Sequence, residues 1–109
     1  MEREEWDGTG ARVSGEGLRV GRAAAARCLR LYRKSETPEP VLAELEEAIS
    51  PALPINVCLL GMGSDMHTAS LFPGADNLET ALDRYGPVLV PMRAKDVPEP
   101  RLTLSARVL

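Results

Sequence analysis

Asp65 and His67 are the residues with which this sequence could do proton chemistry. His67 is the only histidine, and Asp65 precedes it by two positions. An imidazole changes charge near neutral pH, so it can take up or release a proton there, and a neighbouring carboxylate can orient it. In an extended segment residues i and i+2 point to the same side, which predicts carboxylate and imidazole facing one pocket. The structural alternative is a histidine that only hydrogen-bonds a backbone carbonyl. Ser70 also has two readings, as a nucleophile or as a cap at a turn or helix. Ahead of the pair stand Gly61 and Gly63. Glycines directly after an apolar run let the backbone turn sharply and offer N–H groups to an anion.

Several other chemistries are disfavoured. The third glycine of a dinucleotide fingerprint would fall at Met66, no acidic residue sits about 20 residues on in a following strand, and no Gly-Lys-Ser/Thr occurs. One histidine and no close cysteine pair argue against a metal site.

The element that must position this loop is the apolar run Ile55 to Leu60. A short apolar run stopped by glycine reads as a buried parallel strand, and open α/β sheets place ligands at the carboxyl ends of such strands. Upstream, Thr37 is a natural N-cap and Pro38 suits a first helical position. Val41, Leu42, Leu45, Ala48 and Ile49 then fall on one helical stripe, with Glu44, Glu46 and Glu47 turned to solvent. Arg22 to Lys34 reads as another helix, rich in alanine but surrounded by arginines.

Downstream, Asp76 or Asn77 caps a short helix over Leu78 to Leu82. Val88 to Val90, bracketed by Pro87 and Pro91, reads as an edge strand. Ala94 to Pro100 reads as an extended loop. Arg101 to Leu109 alternates Leu102, Leu104 and Ala106 with Thr103, Ser105 and Arg107, which predicts a strand. The expected fold class is α/β: a partial doubly wound, mainly parallel sheet with flanking helices. Residues 1–20, glycine-rich and charged, read as a poorly ordered arm, and 21–109 as a partial α/β domain.

At 109 residues the chain is one domain at most, and its 44% hydrophobic and 27% charged content is that of a globular protein. A net charge of -3 without a basic patch disfavours nucleic acid as partner. No apolar run is long enough for a membrane span, and the acidic start MEREEWDGTG is unlike a signal peptide. Cys28 and Cys58 are expected as buried, reduced thiols of a cytoplasmic protein. A partial sheet would leave an unpaired edge, which predicts self-association.

GMGSDMHTASLFPG, from Gly61 to Gly74, resembles the signature of the 6-phosphogluconolactonase family, G-x-G-x-D-G-H-x-A-S-L-F-P-G. VPEPRLTLS, from Val97 to Ser105, resembles a second family feature, a Pro-rich loop followed by R-[IVL]-T-[LF]-[ST]. The resemblance covers about Ile55 to Leu109. It implies a fold shared with sugar-phosphate isomerases and hydrolysis of 6-phospho-D-glucono-1,5-lactone to 6-phosphogluconate in the pentose phosphate route. His67 would be the base that activates water, Asp65 its assistant, and Gly61, Gly63, Ser70 and Arg101 would bind the sugar-phosphate lactone; no metal or organic cofactor is implied.

Related glucosamine-6-phosphate deaminases carry a Phe-Asn-Glu-Pro segment where this chain has Ser70-Leu71-Phe72-Pro73, so deaminase chemistry is the second reading. Two departures stand out. Met66 occupies a family glycine position, where a demand for positive φ would strain it. The family's N-terminal phosphate loop and Asp-Glu-Arg motif are not found in residues 1–54, so the chain resembles a fragment. A third reading follows from these departures, a catalytically inactive sugar-phosphate binder.

Overall fold

Two compact units, Met1–Lys34 and Ser35–Leu109, divide the chain in the computed structural model, which describes residues 24–31 and 33–109. The expected arm over 1–20 lies outside the described residues. Of the helix expected from Arg22 to Lys34, residues 24 and 25 form a turn and the remaining described ones are irregular and largely exposed. Helices in proteins owe most of their stability to packing of an apolar face. Alanines ringed by Arg27, Arg30, Arg33 and Lys34 supply no such face.

In the second unit a single 3-10 turn, Glu39–Val41, leads into helix α1, Leu42–Ile49. Pro38 sits at the N-cap of that turn without a side-chain cap, so Thr37 is not the N-cap; its side chain instead hydrogen-bonds Glu39. The apolar stripe is as expected at its centre, with Leu45 and Ile49 buried. Helix α2 spans Leu78–Leu82, and neither Asp76 nor Asn77 caps it through a side chain. Asn77 instead donates from Nδ2 to the Pro91 carbonyl at 2.8 Å.

The described sheet is an antiparallel hairpin of β1, Leu89–Ala94, and β2, Val97–Leu104. The chain is therefore α/β in composition, but the expected parallel sheet is not among its described elements. Ile55 to Leu60 forms no ladder, and its side chains are mostly exposed. Cys58 is exposed with it, as is Cys28, so neither thiol is buried. A strand is buried only by neighbours on its edges and faces, and none of the described residues pairs with this run.

Both strands extend beyond the expected bounds, through prolines. Leu89↔Leu104, Val90↔Thr103, Pro91↔Leu102 and Met92↔Arg101 are in register, and the pairing shifts before Ala94↔Val97. The extra β2 residues in that shift include Pro98 and Pro100, which lack the N–H a regular ladder would need; bulges are where strands tolerate proline. Thus the expected loop from Ala94 to Pro100 is largely the bulged half of the hairpin, and β2 ends at Leu104 rather than running on to Leu109.

Pro91 is tolerated for a related reason. Leu89, Pro91 and Arg93 turn their backbone polar groups to the outer edge of β1. There the Leu89 N–H donates to Glu46 Oε1 at 3.2 Å, and the Arg93 N–H donates to Asp76 Oδ1 at 2.8 Å. The Arg93 carbonyl accepts the Asp76 N–H at 2.9 Å. Side chains thus satisfy an edge that would otherwise be open to another strand. Glu46 is accordingly half-buried rather than turned to solvent. Arg93 also forks onto Glu39 at 2.7 and 3.2 Å, tying the 3-10 turn ahead of α1 to the same strand.

Cross-strand partners share a face, so Val90, Met92, Thr103 and Arg101 lie on one side of the hairpin. The apolar cluster of Phe72, Ala75, Ala81, Val90 and Met92 builds the core on that side. Thr103 is 1% exposed and Ser105 fully buried, whereas Leu102 and Leu104 are only half-buried and Ala106 is exposed. Thr103 and Ser105 of the polar half therefore face inward, the reverse of the usual reading, while Arg107 is exposed.

Candidate active site

The loop that follows Leu60 is closed by its own backbone. Met62 and Thr68 form an isolated antiparallel bridge, the Gly63 N–H donates to the His67 carbonyl at 2.9 Å, and the Met66 N–H donates to the Gly63 carbonyl at 3.0 Å. To close so tightly the chain passes through the left-handed region at Met66, φ 66°, and again at Ala69, φ 49°. A non-glycine residue is strained there. Met66, 75% exposed, gains little burial in return.

This turn brings Asp65 and His67 together. The His67 side chain hydrogen-bonds Asp65 Oδ1 through Nδ1, and the same oxygen accepts the His67 backbone N–H at 3.2 Å. The pair meets as expected, but through a tight turn rather than through the side-alternation of an extended segment. The hydrogen bond from the His67 side chain, followed by that from its backbone, holds the Asp65 carboxyl below its ordinary pKa. A carboxylate on Nδ1 favours the tautomer with its proton on that nitrogen, leaving Nε2 with the lone pair. The imidazole also packs on Phe72, ring centroids 4.3 Å apart and planes at 37°.

Gly63 has a use that spacing does not reveal. A Cβ there would overlap His67 Cε1 and Nδ1 and lie 2.9 Å from Asp65 Oδ1. The imidazole and carboxylate fold back over this α-carbon, and only glycine leaves them the room. Its N–H, expected to face an anion, is instead engaged by the His67 carbonyl. Gly61 is exposed, and a Cβ on it would meet nothing within 4 Å.

Ser70 is buried, and its N–H donates to Thr103 Oγ1 at 3.2 Å. Its described partner is thus the hairpin. Arg101 is half-buried on the hairpin face that carries Met92 and Thr103; burial lowers the pKa of its guanidinium and the charge of Glu99 opposes that shift. The structure joins Asp65, His67 and Gly63 in direct contact, and ties Ser70 to the strand that bears Arg101. Thr103 and Phe72 are structural partners of the loop that appear in the sequence only as members of the two motifs. A polar residue flanked by leucines in a strand was the available signal for Thr103. Among the described residues no group of three or more His, Cys, Asp or Glu is placed to hold a metal ion, and no helix is long and apolar enough to cross a membrane.

Residues 15–109 match the family described as glucosamine-6-phosphate isomerases/6-phosphogluconolactonase. A 6-phosphogluconolactonase of Pseudomonas putida is 40% identical over 93 residues, 84% of this chain and 38% of the relative. One of Rhizobium meliloti is 41% identical over 103 residues, 93% of this chain and 44% of its own length. The crystal structure of a 6-phosphogluconolactonase from Shewanella baltica superposes with a TM-score of 0.72 at 33% identity, over 84% of this chain and 40% of that one. The chain thus spans about two fifths of the length of these relatives. A match that runs from residue 15 to Leu109 reaches well upstream of the signature loop, and the chain belongs to the glucosamine-6-phosphate isomerase/6-phosphogluconolactonase family.

Proposed function

We propose that this chain carries the proton-transfer centre of a 6-phosphogluconolactonase, which hydrolyses 6-phospho-D-glucono-1,5-lactone to 6-phosphogluconate. The observation that carries this reading is the His67–Asp65 pair held over Gly63, within a loop that matches the family signature. His67 Nε2 takes a proton from water as its oxygen attacks the lactone carbonyl. Negative charge collects on the former carbonyl oxygen. When the ring C–O bond breaks, the same nitrogen returns the proton to the departing ring oxygen. Asp65 keeps the imidazole oriented and stabilises its protonated form.

Gly61, with its open surroundings, and Gly63 line the approach to the imidazole. Ser70 and Arg101 border the substrate from the hairpin side, where a guanidinium suits phosphate or a developing oxyanion. No cofactor is needed for this chemistry. In this reading Ile55 to Leu60 takes a central place in a doubly wound parallel sheet within an α/β domain. Val57 and Leu59, left uncovered here, favour self-association of the chain. The protein works in the cytoplasm, without nucleic acid or membrane as partner.

The test is to supply both family substrates. Acid release from the lactone, measured in a pH-stat, is the expected result. Ammonia release from glucosamine 6-phosphate without acid production would instead assign the deaminase reaction. No turnover of either substrate, with binding retained, would assign the inactive binder.

A further inference from the structure

We infer that Thr103 is a positioning residue for His67, acting from strand β2 through Ser70 and Phe72; this rests on the proposed role of His67 as the base. Three observations converge on it. Thr103 is 1% exposed on a strand face whose neighbours Val90 and Met92 are apolar, a setting in which a hydroxyl is costly unless it is hydrogen-bonded. It is hydrogen-bonded twice. Oγ1 donates to the Leu104 carbonyl at 2.9 Å and accepts the Ser70 N–H at 3.2 Å. The first bond directs the hydroxyl proton toward the strand's own carbonyl, which leaves a lone pair for the incoming N–H.

The second bond fastens the loop just beyond its strained turn. Ser70 follows Ala69, which is left-handed, and lies two residues before Phe72. Phe72 is seated in the same cluster as Val90, the cross-strand partner of Thr103, and its ring supports the imidazole at 4.3 Å. Asp65 and Gly63 hold the imidazole from within the loop. Thr103 sets where the loop itself stands relative to the hairpin, and hence where Nε2 lies relative to anything bound beside Arg101.

The hydroxyl rather than the bulk of Thr103 is what the inference requires. Thr103→Val keeps the branched shape and removes the acceptor; Thr103→Ser keeps the acceptor and removes a methyl. NMR on the 109-residue chain reads the effect without any turnover, through amide exchange of Ser70 and the ring-current shifts that Phe72 imposes on His67. Thr103→Val should speed Ser70 exchange at least ~10-fold and move the His67 ring resonances toward those of a Phe72→Leu variant, with Thr103→Ser close to wild type. If the wild type hydrolyses lactone, Thr103→Val should lower kcat on the order of 10- to 100-fold with KM little changed. Thr103→Val with unchanged Ser70 exchange and unchanged His67 shifts overturns the inference. So does Thr103→Ser behaving like Thr103→Val. A wild type without lactonase activity refutes the enzymatic reading alone, and the NMR comparison still decides the positioning.

Discussion

Two short apolar stretches of this chain, each close to prolines, meet opposite fates. Leu89 and Val90, between Pro87 and Pro91, are each 1% exposed, whereas Val57 is 88% and Leu59 97% exposed. Composition does not separate them. Neighbours do. β1 has β2 on one edge, and Glu46, Asp76 and Asn77 bonded to the other. Phe72 and Ala81 join Val90 in the core cluster. Ile55 to Leu60 has no strand beside it among the described residues. Burial is a property of the assembly around a segment, and the chain spans about two fifths of relatives of the same family. The site loop hangs between these regions, rooted at one end in the exposed run and tied at the other to the hairpin.

The largest expected effect tests whether the tied end is a catalytic centre or only a fold. In any form that turns over lactone, His67→Ala should lower the rate ~100- to 10,000-fold, the usual loss for a positioned general base. Stability should fall by only about 1 kcal/mol, through the lost Phe72 contact and the lost hydrogen bond. His67→Gln should be nearly as inactive, because an amide accepts a hydrogen bond but takes up no proton at neutral pH. Steady-state rates with thermal melts on the same samples check this. An active His67→Gln variant would reduce His67 to a structural part of the loop.

A smaller effect sharpens the account of the loop's strain. Met66 holds φ 66° with an exposed side chain, a conformation that costs a non-glycine residue about 1–2 kcal/mol. Met66→Gly relieves that cost but adds backbone freedom to the unfolded chain, so a net gain of about 1 kcal/mol is expected. Urea unfolding measures it. A loss of stability on this substitution would mean that the methionine side chain supports the loop.

The pH dependence gives a third test. His67 lowers the Asp65 pKa, so the pair favours the folded state wherever this carboxyl is ionised in the unfolded chain, above about pH 3.9. As pH falls through the lower folded value that contribution is lost. Asp65→Asn should therefore flatten the acid side of the stability curve: the variant lies slightly below wild type at neutral and alkaline pH and converges with it as pH falls through the folded value. Because Asp65 is half exposed, the effect should be small and weaken in salt.

What was legible in the sequence was whatever depended on local pattern. The buried stripe of α1, the span Leu78–Leu82 and the meeting of Asp65 with His67 all follow from spacing and turn chemistry. What depended on distant neighbours was not. Proline content hid the first half of β2, because a bulge that accommodates Pro98 and Pro100 is visible only against its partner strand. Alternation in Arg101 to Leu109 did not tell which face turns inward: Thr103 and Ser105 are buried, and the Thr103 hydroxyl has a loop N–H to satisfy. Gly63 looked like an anion donor, and its real neighbour is the imidazole folded over it.

The smallest expected effect returns to the exposed run. Leu59→Ser should change the stability of the 109-residue chain by less than about 0.5 kcal/mol, as for other surface substitutions, because a residue 97% exposed has almost no packing to lose. Its consequence should lie in association instead. An apolar, unpaired extended segment recruits other chains, and a polar side chain on it weakens that tendency. Sedimentation of wild type and Leu59→Ser across a concentration series should show less self-association in the variant. Were the run paired and covered in the parallel sheet proposed above, the same substitution would strike a packed core and cost about 2–5 kcal/mol, as truncation of a buried leucine does. The size of the loss therefore reports whether Leu59 is covered. A loss of several kcal/mol in the 109-residue chain itself would show that Leu59 is already covered, and the contrast between the two apolar stretches would collapse.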